Sequence, residues 1–473
     1  GNGVHKSMDG GKTWQHLGLD GTFQIGRIAL HPTDPNIAYV GALGRLWGAN
    51  EQRGVFKTVD GGKTWEKVLY IDDKTGIIDL QMHPTNPDIL VAAAYERLRD
   101  GFDGNDPIKK FGPGSGLHKT ADGGKTWTKL TNGLPTCNLG RIGLDWSQSN
   151  PDHLYAIIES EMIGGGPAET AFLGIRNEAA DVGIRVTEVV ADGPAANALK
   201  TGDILVQMND QLIIKADDMT KFLAGKKADE EVKLVVVREG QRVETSVKLV
   251  MRPVQVQAER GSPPRPFSAS LGGQRENVQD LQGAEGYQYG GVYRSKDAGE
   301  TWTRINSVNP RPMYYSQVRV DPVDENNIYI LGTSLYKSSD GGVTFTGDGH
   351  GNEVHVDHHA MWIDPKDSRH IILGNDGGVY VTHDRMKTWD HHNHFAIGQF
   401  YHIGVDSRAD YKIYGGLQDN GSWGGPRRSR TGATNNSDWF RIGGGDGFVC
   451  LVDAEDPDQL YAESQNGAMS RLN

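Results

Sequence analysis

KSMDGGKTW, residues 6–14, is a motif that returns five more times along the chain. Its residues predict a tight β-hairpin, because aspartate accepts hydrogen bonds from nearby backbone N–H groups and glycine supplies a positive φ. The aromatic residue that ends each copy is expected to be buried between repeats. The other copies are KTVDGGKTW (57–65), KTADGGKTW (119–127), RSKDAGETW (294–302), KSSDGGVTF (337–345) and VTHDRMKTW (381–389).

A second repeat alternates with the first and predicts another hairpin in each unit. It joins a polar turn to a short strand rich in β-branched and aromatic residues. Two hairpins give four antiparallel strands, and their repetition is typical of the blades of a β-propeller. The copies are HPTDPNIAYVG (31–41), HPTNPDILVAA (83–93), SQSNPDHLYAI (147–157), DPVDENNIYILG (321–332), DPKDSRHIILG (364–374), DSRADYKIYGG (406–416) and DAEDPDQLYAES (453–464).

The two kinds of hairpin set the expected number of blades. Seven hairpins of the second kind and six of the first predict about seven blades, the last of them completed by the hairpin at Asp9. Alternatively, GAMSRLN (467–473) is the third strand of that last blade, and the chain is part of a larger or double propeller. The sequence therefore predicts an all-β, multi-bladed propeller and leaves the ring size open.

The composition excludes several classes of function. Among the 473 residues, 63 are glycine, which suits a turn-rich all-β protein. A net charge of −12 argues against nucleic acid or an anionic membrane as the partner. No run approaches the roughly 18 apolar residues of a membrane span. The two cysteines, Cys137 and Cys450, are too few for a disulfide framework and are expected to be free thiols.

One interval breaks the repeat. Asp122 and Asp297 are 175 residues apart, whereas the other neighbouring motif aspartates are separated by 43 to 62 residues. The additional segment contains AFLGI (171–175), LKTGDIL (199–205) and an REG turn (238–240), and it closely resembles the PDZ domains attached to bacterial HtrA-type proteases. The expected domains are a first propeller part (1–160), a small α+β PDZ domain (166–253) inserted in a loop of one blade, an irregular linker (254–285) and a second propeller part (286–473).

The PDZ resemblance implies a groove for a peptide. In such domains an extended chain adds to an edge strand, and backbone N–H groups hold its C-terminal carboxylate. Val182, Ile184 and Val186 are expected on the strand side of the groove. The remaining residues that the resemblance assigns are Phe172, Leu173, Gly174 and Ile175 in the carboxylate loop, and Met219 and Phe222 on the helix side. The alternative is that these apolar side chains form only the core of the domain.

A cluster of polar residues is expected on the propeller face opposite the Asp-containing turns. Four interpretations remain open: loop-capping residues with a structural role, a ligand-binding surface, paired carboxylates for glycoside hydrolysis, and a divalent metal held by His355, Asp357 and His359, which would alternate along a strand. The carboxylates are Asp357, Asp376, Asp419 and Asp446. The ligand-binding candidates are His355, His358, His359, Asn375, Asn420, Trp423, Arg27 and Arg141.

Several longer motifs resemble bacterial exported propeller proteins with BNR (Asp-box) repeats, which are labelled sortilin-like or glycosyl hydrolase. The resemblance implies a secreted, periplasmic or cell-surface protein. No cofactor is expected, apart from the divalent metal that stays possible. Its ligand would be a protein, a peptide C-terminus or a glycan; the alternative is a glycoside hydrolase, so enzymatic activity stays open. Sialidase activity is not expected, because Gly443 follows FRI (440–442) where sialidases have proline. The motifs are GRIALHP (26–32), PRPMYYSQVRVDP (310–322), VDHHAMWIDP (356–365), GLQDNGSWGGP (416–426) and WFRIGGGDGF (439–448).

Overall fold

Almost all regular structure in this protein is β-strand. The computed structural model describes residues 1–99, 109–167, 169–253, 265–347, 354–395, 397–429 and 432–473. These residues form two compact units, Gly1–Gly332 with Tyr336–Gly347 and Thr333–Leu335 with Asp348–Asn473. Antiparallel sheets with propeller-type strand order fill both units, so the prediction of an all-β propeller fold is confirmed. None of the helices in the described ranges is long and apolar enough to cross a membrane.

The first unit begins with a hairpin and two complete blades, in which each strand pairs with its neighbours in sequence. The hairpin consists of β1 (His5–Lys6) and β2 (Gln15–His16). The first blade contains β3 (Gln24–Leu30), β4 (Ala38–Gly44), β5 (Gly54–Thr58) and β6 (Glu66–Leu69), and the second contains β7 (Thr75–Met82), β8 (Leu90–Glu96), β9 (Gly116–Thr120) and β10 (Thr128–Leu130). The third blade starts with β11 (Leu139–Trp146) and β12 (Leu154–Ser160).

An insert follows β12 and has its own core. Its sheet runs in the order β14-β15-β16-β18-β19, with β17 beside β16, while β13 pairs only with β20. Fully buried aliphatic residues such as Ile184, Leu205, Val232 and Leu234 fill the space under α1. The elements are β13 (Glu169–Phe172), β14 (Ile175–Ala179), β15 (Ile184–Val189), β16 (Ile204–Met208), β17 (Gln211–Leu212), α1 (Ala216–Ala224), β18 (Glu231–Arg238), β19 (Gln241–Lys248) and β20 (Val250–Pro253).

The third blade resumes after the insert, and a fourth follows it. Strand β21 pairs with β12, so the two halves of the blade meet across the inserted residues. The third blade ends with β21 (Gly291–Ser295) and β22 (Thr303–Asn306), and the fourth contains β23 (Gln317–Val320), β24 (Ile328–Leu331), β25 (Tyr336–Ser338) and β26 (Thr346–Gly347).

Residues 265–289, which we call the strap, lead from the insert back to the third blade. Amide side chains attach the strap to its surroundings. Gln274, 1% exposed, accepts the N–H of Gly164 at 2.9 Å and donates to the carbonyl of Ser307 at 2.5 Å. Gln282 donates to the carbonyl of Gly165 at 2.7 Å. This part of the expected linker is therefore ordered. Residues 254–264 lie outside the described residues.

The second unit contains two four-stranded blades and a three-stranded sheet. GAMSRLN forms the third strand of that last sheet, which is the alternative that the sequence left open. The fifth blade contains β27 (His358–Ile363), β28 (Ile371–Asn375), β29 (Gly378–Thr382) and β30 (Asp390–His391). The sixth contains β31 (Phe400–Val405), β32 (Lys412–Leu417), β33 (Gly421–Pro426) and β34 (Phe440–Gly443). The last sheet contains β35 (Gly447–Val452), β36 (Leu460–Ser464) and β37 (Ala468–Leu472).

The repeated aspartates close their turns in the same way. Asp60 accepts the N–H of Thr64 at 3.0 Å and its hydroxyl at 2.7 Å, and these hydrogen bonds hold the pKa of Asp60 well below its usual range. The aromatic residue behind the turn is buried at Trp302 (4% exposed) but not at Trp14 (63% exposed). The expected burial is wrong at Trp14 because its hairpin has only two strands and offers no sheet to cover the ring.

Glycines let the inner strands of adjacent blades approach closely. A Cβ on Gly26 of β3 would lie 2.5 Å from the carbonyl oxygen of Ile78 on β7. In the second unit, a Cβ on Gly404 of β31 would lie 2.3 Å from the carbonyl oxygen of Cys450 on β35. Because real Cβ atoms do not reach these distances, a side chain at either position would push two blades apart.

Candidate peptide groove and acidic cluster

The insert contains a cavity between its first loop and α1. Its volume is about 120 Å³. The loop side comes from residues 170–175 and the helix side from Met219, Thr220 and Leu223, while Arg252 of β20 completes the lining. The amphipathic helix presents these residues on one face, because positions 219 and 220 each lie about one turn before position 223. Four residues of the expected carboxylate loop, and Met219, therefore meet at one cavity.

Backbone N–H groups of the loop lack partners. Among the described residues, no acceptor bonds to the N–H of Leu173 or of Gly174. Val190 donates its N–H to the carbonyl of Gly174 at 2.9 Å, and Ile175 is paired with Val189. In this antiparallel register the N–H of Ile175 points away from β15. Three successive N–H groups can thus converge on an anion, as in backbone nests.

Strand β14 is the edge of the insert's main sheet. It pairs with β15 on one side, and no described strand pairs with its other side. An unpaired edge beside a cavity is the arrangement that accepts an extended peptide by strand addition. Its exposed Arg176 pairs with Glu188 on β15 at 3.2 Å. This ion pair lies on the outer face of the sheet and leaves the edge of β14 open.

Some residues assigned to the groove lie elsewhere. Ile184 and Val186 belong to β15 and are completely buried in the core, so their assignment to the lining strand is wrong. The edge strand is β14, whose sequence IRNEA carries no alternating apolar pattern. Phe222 packs against the core and beneath Lys226, 4.7 Å from the ring centre, and does not line the cavity. The sequence did not indicate Thr220 or Arg252 as residues of the cavity lining. The side of α1 that faces the loop and the pairing of β13 with β20 are both decided by the tertiary structure.

Asp419 is the centre of the acidic cluster in the second unit. It lies in the turn between β32 and β33 with φ +56°, and its N–H donates to Asp446 at 2.8 Å. Burial, the charge of Asp446 and a shared hydrogen bond with Asp376 raise the pKa of Asp419 to about 6. Carboxyls so close together cannot all ionise at low cost, so Asp419 retains a proton that an ordinary aspartate would lose.

Two of the neighbouring carboxylates, Asp446 and Asp376, have hydrogen-bond donors or a histidine beside them. Asp446 accepts from the hydroxyl of Tyr401 at 3.4 Å and from the side chain of Gln465. Asp376 lies 2.9 Å from Nε2 of His359. Asp357 contributes charge to Asp419 as well. The four predicted carboxylates therefore form one interacting group.

Amide and aromatic side chains tie the loops of this cluster together. Asn375 donates to the carbonyl of His355 at 2.7 Å, and Asn420 donates to the carbonyl of Asp376 at 2.7 Å. Trp423 donates its indole N–H to the carbonyl of Asn420 at 2.7 Å. These three predicted ligand-binding residues hold the loops in place, which supports the loop-capping interpretation for them.

The expected geometry of a metal site is not present. The hypothesis required His355, Asp357 and His359 to alternate along a strand, but β27 begins only at His358. Asp357 has φ +66°, which breaks the alternation. His358 is completely buried. Within the described ranges, no three His, Cys, Asp or Glu side chains are grouped so that they could hold a metal ion.

The two predicted arginines lie in the first unit, where each has a partner. Nε of Arg27 is 2.8 Å from Oδ1 of Asp79, whose charge raises the pKa of Arg27. Arg141 donates to the carbonyl of Met313 at 3.3 Å, and burial lowers the pKa of its guanidinium. Both arginines join neighbouring blades.

The fold and the groove together define a β-propeller that carries an inserted domain of the peptide-binding PDZ type. A family model described as "PDZ domain" matches residues 171–249. A model described as "Sortilin, neurotensin receptor 3" matches residues 2–162 and 290–429, which is more than half of the chain. The chain therefore belongs to the sortilin family and contains a PDZ domain.

Individual proteins resemble parts of the chain. The "Probable periplasmic serine endoprotease DegP-like" of Marinomonas sp. (strain MWYL1) is 30% identical over 116 residues, 22% of this chain and 25% of that protein. The chain thus spans about a quarter of that relative's length. An ancestral GH74 enzyme has 13% identity and a TM-score of 0.31, covering 100% of this chain and 64% of its own. The HtrA3 PDZ domain bound to a phage-derived ligand (FGRWV) has 20% identity and a TM-score of 0.16, covering 18% and 88%.

Proposed function

We propose that the PDZ domain of this chain binds the C-terminal end of an extended polypeptide outside the cytoplasm. The propeller is the scaffold that carries the PDZ domain. The observation that carries the proposal is the edge of β14 that no described strand pairs. It is continuous with the N–H groups of Leu173 and Gly174, which have no acceptor among the described residues, and with the N–H of Ile175, which points away from β15. The peptide adds to β14, and its terminal carboxylate meets these N–H groups. The periplasmic relative supports the location.

The size of the cavity limits the terminal side chain of the peptide. Apolar residues such as Ala171, Leu173 and Leu223 supply much of its lining. An engineered apolar cavity of about 150 Å³ holds benzene, whereas this cavity measures about 120 Å³. We therefore expect an aliphatic terminal residue to fit better than an aromatic one.

Filling the cavity tests the proposal. Thr220→Trp is expected to weaken binding of C-terminal peptides to the full chain by at least about tenfold, roughly 1.4 kcal/mol, because the indole occupies the space of the terminal side chain. Binding is measured by fluorescence anisotropy with labelled hexapeptides that end in valine. Asp217→Trp is the control, since this exposed residue is on the same helix but does not line the cavity. Equal affinities of the two variants would contradict the proposal.

A second candidate function is favoured by Asp419. A carboxyl whose pKa is raised to about 6 by burial and by neighbouring carboxyl groups has the properties of a general acid in glycoside hydrolysis. The shared hydrogen bond brings Asp376 closer to it than the separation of at least about 5 Å used by glycosidases. Asp446 or Asp357 would therefore have to act as the partner of Asp419.

Hydrolysis has a defined pH dependence if Asp419 is the acid. Turnover of a polysaccharide is expected to fall as the pH rises through about 6, because the acid must be protonated to donate. Asp419→Asn should abolish turnover, whereas Asp438→Asn, at a half-buried residue outside the acidic cluster, should not. Reducing-sugar release from a panel of plant and bacterial polysaccharides is the measurement. Absence of turnover by the wild-type chain would remove this candidate.

A further inference from the structure

We propose that Arg252 is a specificity-determining residue that recognises the terminal carboxylate of the peptide. This inference rests on the proposed peptide function and extends it. Arg252 lies on β20, paired with Thr170 of β13. It lies beyond residues 171–249, which the PDZ model matches, so a strand outside the matched domain contributes to the lining of its groove.

The position of the guanidinium is fixed by an aromatic ring. The Cζ atom of Arg252 lies 4.4 Å from the centre of the Phe172 ring. Stacking uses the flat face of a guanidinium and leaves its N–H groups, which lie in the plane, available to acceptors. In the described part of the chain no carboxylate pairs with Arg252. A charged donor is therefore held beside the loop without an acceptor of its own.

Backbone N–H groups next to this guanidinium can bind the same carboxylate. The loop that starts at Phe172 continues into the N–H groups of Leu173 and Gly174, to which no described residue supplies an acceptor. A carboxylate placed there has backbone donors on one oxygen and a guanidinium within reach of the other. Charge-assisted hydrogen bonds are roughly twice as strong as neutral ones. Arg252 therefore favours a free C-terminus over an amidated end or an internal segment. Those ligands have no terminal carboxylate and contact only the backbone donors.

The test compares peptides that end in a free carboxylate with peptides that end in an amide. Fluorescein-labelled hexapeptide pools, randomised at five positions and ending in valine, are prepared as free acids and as C-terminal amides. Both pools are titrated with the full chain as wild type, Arg252→Ala, Arg252→Lys and the control Arg242→Ala. Arg242 lies on β19, more than half exposed, at the opposite edge of the main sheet.

Arg252→Ala is expected to weaken binding of the acid pool about tenfold and to leave the weak binding of the amide pool unchanged. Its acid binding should also lose most of its dependence on salt. Arg252→Lys should recover part of the acid preference, and Arg242→Ala should match the wild type.

Three other outcomes overturn the inference. Unchanged acid binding in Arg252→Ala would refute the role of Arg252 and leave the proposed peptide function standing. An equal loss for acids and amides would show that Arg252 only supports the fold of the groove. If the wild-type chain bound neither pool, the proposed function would fail together with this inference.

Discussion

Asp79→Ala is expected to lower the free energy of unfolding of the first unit by about 2–3 kcal/mol. Asp79, 7% exposed, lies on β7, the inner strand of the second blade. Its Oδ1 is 2.8 Å from Nε of Arg27 on the first blade, and its Oδ2 accepts the N–H of Leu144 on the third blade at 3.0 Å. One carboxylate thus joins three blades, and its removal leaves a half-buried guanidinium and a backbone N–H without this partner.

Chemical denaturation followed by tryptophan fluorescence measures this loss. Glu188→Ala is the matched control, because Glu188 belongs to the same unit and pairs with Arg176 at 3.2 Å. Both of those side chains are more than half exposed, so the control should lose less than about 1 kcal/mol. Arg27→Met combined with Asp79→Leu should recover much of the stability, since no buried charge then remains unpaired. Equal losses in the two alanine variants would contradict the assigned role of Asp79.

The propeller fold could be predicted because its information is local and repeated. An Asp-Gly-Gly turn specifies its own hydrogen bonds within five residues, as at Asp60 and Thr64. The polar turns that precede the second strands are local in the same way; for example, Asp34 accepts the N–H of Asn36 at 2.9 Å. Burial is not local, which is why a tryptophan in the same motif is buried at Trp302 and exposed at Trp14.

The candidate sites could be predicted only where their residues are close in sequence. The loop from Phe172 to Ile175 was found from its motif, and Asp419 with Asp446 from Gly-rich stretches. Strand β14 was missed because an edge strand with one open side needs no apolar alternation. Arg252 was missed because its stacking on Phe172 joins residues 80 positions apart. The metal hypothesis failed at Asp357, whose left-handed backbone has no clear sign in the sequence.

Gly143→Ala is the second substitution expected to cause a large loss of stability, of about 3 kcal/mol. Gly143 lies on β11, and a Cβ there would be 1.9 Å from the carbonyl oxygen of Ser316 and 3.3 Å from Cα of Gln317. Ser316 cannot easily retreat. It is 2% exposed, has φ +43° and donates its hydroxyl to the carbonyl of Pro312 at 2.7 Å. The methyl group would therefore force the third and fourth blades apart.

Two glycines of the same unit separate this steric effect from the ordinary cost of replacing glycine. A Cβ on Gly225 meets nothing within 4 Å, and its φ is −94°, so Gly225→Ala should change the free energy of unfolding by less than about 0.5 kcal/mol. Gly202 also faces open space but has φ +96°, so Gly202→Ala should cost about 1 kcal/mol through its backbone alone. Denaturant titration of the three variants ranks them. If Gly143→Ala lost no more stability than Gly202→Ala, the close approach of β11 to Ser316 would not be a constraint on the propeller, and the role assigned to the inner-strand glycines would be wrong.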